Sequence, residues 1–268
     1  MSPMADITAK DVQALRQATG AGMMDAKRAL VEAHGDMDRA KKILREKGLA
    51  KMESRQRESA QGAIALAVNT HAVALVELKC ETDFVAKSDN FVNLTEELAD
   101  AVATRGEAGV DAHKQAVDDL KVTLRENVDV GRTQRLEVEP DQVLGTYLHR
   151  QEGRGVNGVA VVLDGGSEEL AHDIAMHIAF AKPEYLRRDE VPAEVIAELR
   201  DTFTNMARAE GKPEAAWEKI VDGRLGGWYK ERVLLDQPFV RDEKQTIGQL
   251  ATNAGASVAR FGQLFIGG

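Results

Sequence analysis

Few residues in this 268-residue chain have the type and spacing for covalent chemistry. Cys80 could serve as a nucleophile with His149 as its base. Cys80, however, keeps register with Val76 and Leu78 in an alternating apolar run, which is the position of a small buried packing residue. His172 and His177 stand five apart on a helical stretch, roughly 140° around the axis, a poor arrangement for gripping one metal ion. Gly153-Arg-Gly-Val-Asn-Gly158 is a literal G-x-G-x-x-G, but a dinucleotide site needs a strand before it and a helix after it. Here a strand follows, and Asn157-Gly158 has the composition of a hairpin turn. No G-x-x-x-x-G-K-[ST] occurs, so the chain offers no P-loop for a nucleotide. Among 44 acidic residues no carboxylate pair sits in a recognisable catalytic context. The sequence therefore assigns no catalytic residue, no metal ligand and no cofactor.

A different segment stands out: Thr82-Asp83-Phe84-Val85, where a large apolar ring is bracketed by polar residues. It follows the alternating run Ala72–Leu78, which reads as a half-buried strand with Val73, Leu75 and Glu77 on one face and Ala74, Val76, Leu78 and Cys80 on the other. It leads into Ser88–Arg105, where Phe91, Leu94, Leu98 and Val102 recur at helical spacing. The tetrad thus lies at a strand-to-helix junction. One reading is a helix start, capped by Thr82 or Asp83, with Phe84 or Val85 folded back into the core. The other makes Phe84 a projecting anchor, since aromatics buried on binding dominate the energetics of protein interfaces. Met23-Met24, after Gly20 and Gly22, poses a similar question. Adjacent helical residues point about 100° apart, so both cannot readily face one small core. An exposed Met is a soft contact surface.

The elements around these residues form an α+β chain. Residues 1–48 predict a three-helix bundle: a capped start at Thr8 and Asp11, a second helix over Met23–Ala33, and a third from Met37 that Gly48 ends. The polar stretch 49–61 reads as linker. Period-two alternation begins a β-hairpin at Gly62, followed by helices over Ser88–Arg105 and Val110–Asn127. Strands are expected at Gln134–Glu139, Val143–Arg150 and Val156–Asp164, then a helix over Ser167–Ala181. The order hairpin-then-helix occurs twice, which suggests two related antiparallel-sheet-plus-helix modules, 62–142 and 143–182 with 231–268. Between the parts of the second, residues 183–230 read as an inserted helical hairpin, Pro192–Gly211 and Pro213–Gly223. A helix near Thr246–Asn253 and a strand near Ser257–Ile266 close the second module.

Composition narrows the function classes. No apolar run approaches the ~20 residues of a membrane span, and no signal-peptide pattern opens the chain. A single cysteine fits a reducing cytoplasm. Residues 1–57 carry 12 Lys/Arg against 8 Asp/Glu, so the net charge of −9 divides into +4 for this head and −13 for the remainder. An acidic body argues against general nucleic-acid binding, and the basic head suits an acidic protein partner or a solvated helical surface.

Two segments, Leu15-Arg-Gln-Ala-Thr-Gly-Ala-Gly-Met-Met-Asp-Ala-Lys-Arg-Ala-Leu30 and Glu77-Leu-Lys-Cys-Glu-Thr-Asp-Phe-Val-Ala-Lys-Ser-Asp-Asn-Phe91, resemble the two signatures of the elongation factor Ts family. Its members are bacterial guanine-nucleotide exchange factors for elongation factor Tu. Further echoes are Ala175–Pro183, Gly211–Glu214, Gln237–Val240 and Thr246–Leu250. The resemblance implies an N-terminal bundle like ubiquitin-associated domains, a two-module core and a protruding helical hairpin. It also implies that Thr82, Asp83, Phe84 and Val85 enter the GTPase domain of elongation factor Tu and dislocate groups around its magnesium and phosphates. Arg16, Met23 and Met24 would touch that domain away from the nucleotide, and His149 would contact the partner from the second module. The partner would be elongation factor Tu, GDP-bound or nucleotide-free, with no nucleotide held by this chain itself. The segment His149–Asn157 is longer than the short turn of some relatives, which bears on how His149 is presented. The hairpin 183–230 is one surface through which two copies could pair. The rival class is a non-catalytic adaptor resembling ubiquitin-associated domains, or a ribosome-associated binding protein, working through the basic bundle.

Overall fold

Local capping and small residues shape the first unit. The computed structural model describes residues 7–53 and 59–268. Helix α1 (Ala9–Thr19) opens with the capping box Thr8–Asp11 and closes at Gly20 in the left-handed region, φ 66°. Helices α2 (Met23–Glu32) and α3 (Met37–Glu53) follow. Val12, Leu15, Ala26, Ala29, Leu30, Ala40 and Leu44 form their core.

Strands β1 (Gln61–Val68) and β2 (Ala72–Cys80) form the first hairpin, then come a single turn α4 (Asp83–Ala86), α5 (Asp89–Arg105), α6 (Glu107–Leu124) and β3 (Val128–Glu137). The second module opens with β4 (Gln142–Gln151), β5 (Arg154–Asp164) and α7 (Glu168–Ala181). Helices α8 (Ala193–Ala209) and α9 (Trp217–Arg232) make the helical hairpin. A short ribbon, β6 (Pro238–Phe239) with β7 (Asp242–Thr246), precedes α10 (Ile247–Asn253) and β8 (Ser257–Phe265).

The two modules share one topology. Each hairpin is followed by a helix, and a later strand then pairs antiparallel with the hairpin's second strand, giving the orders β1-β2-β3 and β4-β5-β8. The sheets pack face to face through Ile64, Val73, Leu75, Ala160 and Leu264. Their outer faces are covered by α5 and α6 on one side and α7 and α10 on the other. This explains why β2 is buried along almost its whole length: both faces of its alternation meet apolar layers. Ala63, Ala65, Ala67 and Ala74 face α5 and let that helix approach closely, as a chain poor in aromatics requires. Glu77 lies on the sheet–sheet face, where Arg132 holds it (3.0 and 3.1 Å) and also reaches the Phe265 carbonyl (2.7 Å). Burial alone would raise the Glu77 pKa, but the Arg132 hydrogen bonds and charge outweigh it and the net shift is downward.

Several expected boundaries move. Gly48 does not end the third helix, because there the chain lies against α6. A Cβ at Gly48 would stand 2.9 Å from both γ-carbons of Val122, so glycine permits the contact. Arg45 on α3 and Asp119 on α6 pair across it at 2.6 Å. The stretch 49–61, expected as linker, begins as helix and ends in strand; residues 54–58 lie outside the described residues. Gly223 likewise does not end α9, since burying Val221 and Leu225 outweighs a helical glycine's cost of roughly 1 kcal/mol. Strand β3 starts at Val128, not Gln134; on this edge strand the exposed Asp129 and the half-buried Gly131 mask the alternation. Asn157-Gly158 lies inside β5. The turn is instead Glu152-Gly153, both with positive φ (52° and 83°), the type that matches strand twist.

Candidate functional site

The junction after β2 is held from three sides. Thr82 caps α4 through its hydroxyl, which accepts from the Val85 amide (3.4 Å). Glu126, in the loop before β3, accepts from the Thr82 amide (3.0 Å) and hydroxyl (2.6 Å). Ser88 donates to the Val85 carbonyl (2.8 Å). Val85 and Ala86 are buried in the core beneath α5. With those two positions turned inward, the helical turn carries Phe84 outward, and the residue is 86% exposed. Both sequence readings thus hold in part: Thr82 does begin a helix and Val85 does enter the core, but Phe84 projects.

Asp83 is exposed beside Phe84 and pairs with Lys87 (Oδ2 to Nζ, 2.7 Å). The Lys87 hydrogen bond, then its charge, hold the Asp83 carboxyl below the usual range. Lys87 also pairs with Glu152 at the tip of the β4–β5 hairpin (2.6 Å), and its own pKa is raised by both carboxylates. A second ion pair, Arg150 with Glu96 of α5 (3.2 Å), ties the same hairpin to the same module.

His149 lies three residues before that tip, on the ladder opposite Asn157. It is exposed, stacks on Tyr147 (centroids 6.4 Å apart, planes at 15°), and sits 3.5 Å from the Tyr147 hydroxyl through Nδ1. The long 149–157 segment is therefore an extended hairpin with a tight turn, not a loose loop. Close packing fixes it: a Cβ at Gly155 would fall 2.1 Å from the Ile64 carbonyl oxygen, and Arg154 donates to the Gly62 carbonyl (2.7 Å). The structure brings the His149 strand and the tetrad together through Lys87 and Glu152.

On the N-terminal bundle, Met23 and Met24 are both exposed, 60% and 65%, at the start of α2. One exposed methionine was expected; the bundle is small enough that Ala26, Ala29 and Leu30 fill its core without either. Arg16 is exposed and donates to the Ala21 carbonyl (3.3 Å), across the turn that leads to the methionines. No hydrogen bond or ion pair among the described residues joins Arg16, Met23 or Met24 to the tetrad. The turn borders a cleft of about 660 Å³ against α6, lined by Gly20, Lys41, Arg45 and Asp119 among others.

The residues considered for covalent chemistry are placed otherwise. Cys80 is fully buried, and burial above all pushes its thiol up to about 12. Its Sγ lies 3.2 Å from the Thr82 carbonyl, so it packs beneath the tetrad. His177 is buried against Gln237 (2.9 Å), whereas His172 is exposed and meets the Thr146 carbonyl (2.9 Å). Among the described residues no cluster of three His, Cys, Asp or Glu could hold a metal ion, and no helix is long and apolar enough to cross a membrane.

Sequence reading missed Glu126, Lys87 and Glu152, because their partners are remote in the chain or carry ordinary surface charge. It also passed over Phe180 on α7, which is 78% exposed. Periodicity could have found that residue. The buried stripe Ile174–Ile178 leaves position 180 roughly 200° from Ile178, away from the core.

The family model for "Elongation factor TS" matches residues 81–268. The chain belongs to the elongation factor Ts family. It is 42% identical to Elongation factor Ts of Lactiplantibacillus plantarum over 98% of this chain and 93% of that protein. It is 43% identical to Elongation factor Ts of Clavibacter michiganensis and 42% identical to that of Micrococcus luteus, each over 98% of this chain and all of the relative. The chain is thus a translation elongation factor of the α+β class, and protein biosynthesis is its setting.

Proposed function

We propose that this protein is a nucleotide exchange factor that works without covalent chemistry. It binds elongation factor Tu carrying GDP, disturbs the magnesium and phosphate site with Asp83 and Phe84, releases GDP and lets GTP rebind. The observation that carries this reading is Phe84: a ring 86% in water on a turn clamped by Glu126, Val85 and Ala86. An aromatic exposed on so ordered a support suits an anchor that is buried only when a partner arrives. Arg16, Met23 and Met24 supply a second contact on the bundle, and His149 a third from the core. The chain itself holds no nucleotide or nucleic acid, and it acts in the cytoplasm.

Exchange of this kind is a coupling between two ligands of one partner. If the factor weakens GDP binding, GDP weakens the factor equally. Each tenfold loosening requires about 1.4 kcal/mol of contacts made better in the nucleotide-free state. Stopped-flow release of a fluorescent GDP analogue from elongation factor Tu tests the reading. Acceleration that saturates with factor concentration is expected, and no acceleration at saturation would refute it.

A further inference from the structure

The tip of the β4–β5 hairpin is built unusually. Glu152 occupies a left-handed position (φ 52°) next to Gly153 (φ 83°), a place that Asn or Gly adopts more readily. Backbone preference therefore does not account for a glutamate here. Its carboxylate lies 2.6 Å from Lys87 Nζ, and the same ammonium lies 2.7 Å from Asp83 Oδ2. The tip has little freedom to drift. Arg154 anchors it to the Gly62 carbonyl (2.7 Å), Arg150 pairs with Glu96 (3.2 Å), and the register shift at His149–Arg150 re-aims the last two pairs of the ladder. Two modules thus place one carboxylate each on a single cation.

We propose that Glu152 is a positioning residue for Asp83, acting through Lys87; the inference rests on the exchange reading above. With Lys87 as its only neighbour, Asp83 would sit in a closed i,i+4 pair with its charge compensated. To act on charged groups of a partner it must give up that bond. Glu152 keeps the ammonium compensated from a fixed strand end while Asp83 turns away. The release of Asp83 is then easier than from an isolated pair.

The test is a double-mutant cycle of Glu152→Asn and Lys87→Met, read as the saturating rate of GDP-analogue release from elongation factor Tu. Asparagine suits the left-handed turn, so Glu152→Asn should leave the melting temperature unchanged. It should slow release about twofold to fivefold, the range spanned by exposed ion pairs. In the Lys87→Met background the same substitution should have no effect, because the cation it shares is gone. No slowing in the wild-type background overturns the proposal. So does equal slowing in both backgrounds, which would make Glu152 a direct partner contact. A wild-type protein that accelerates nothing overturns the exchange reading as well, whereas acceleration with a flat cycle overturns only the role of Glu152.

Discussion

Replacing Phe84 by alanine separates a side chain that holds the fold from one that holds a partner. A buried phenylalanine cut to alanine costs about 3–5 kcal/mol. Phe84 is 86% exposed, so only a small part of its surface is covered in the free protein. Fully burying a phenylalanine contributes up to about 3 kcal/mol, so the covered part amounts to a few tenths. For a chain of this size that is about 1 °C in melting temperature. If the ring becomes a buried anchor in the complex, the loss there should reach about 2 kcal/mol or more, near thirtyfold in kcat/KM for GDP release. Thermal denaturation of the free protein and stopped-flow nucleotide release on the same preparation give both numbers. A melting temperature lowered by many degrees, with residual exchange tracking the folded fraction, would refute the reasoning. Unchanged exchange would refute it from the other side.

Glu126→Ala removes both acceptors of Thr82; stability should fall by about 1–2 kcal/mol, with exchange falling further than stability explains, measured by comparing urea midpoints with release rates. Met23→Ala with Met24→Ala should leave the melting temperature within about 1 °C, since both side chains are exposed, while the factor concentration giving half-maximal release rises several-fold. His177 has its pKa lowered from 6.5, mainly by burial and against the Gln237 hydrogen bond. The folded state therefore prefers the neutral ring. Its contribution is fully present above the unfolded value near 6.5 and is lost as pH falls through the lower folded value. Wild type should lose stability below pH 6.5 more steeply than His177→Gln, by at most about 1.4 kcal/mol per pH unit, as followed by denaturant titration at pH 5–8.

What the sequence determined by itself is what local chemistry fixes. Thr8 and Asp11 form their capping box, Ser167 starts α7, and the alternation from Ala72 to Cys80 is a strand. The placement of Cys80 followed from the same alternation, because a strand's period of two assigns faces without any knowledge of the partner. The tetrad and the methionines were marked differently, by resemblance to the family's signature segments, since local chemistry left both a core and an exposed reading open. Tertiary structure decided the rest. Whether Phe84 points inward or outward depends on which of three adjacent helical residues finds a core, and the core over Val85 and Ala86 is assembled from α5 and β1. Gly48 and Gly223 read as helix ends, yet packing against Val122 and burial of Leu225 carried both helices through. The union of Asp83, Lys87 and Glu152 joins residues up to 69 positions apart, through two sheets that meet face to face. Sequence periodicity reports only which side of an element is apolar. It carries no information about which surface charge another module will bring beside it, and that is why Glu152 became visible beside Lys87 and Asp83 only in the folded chain.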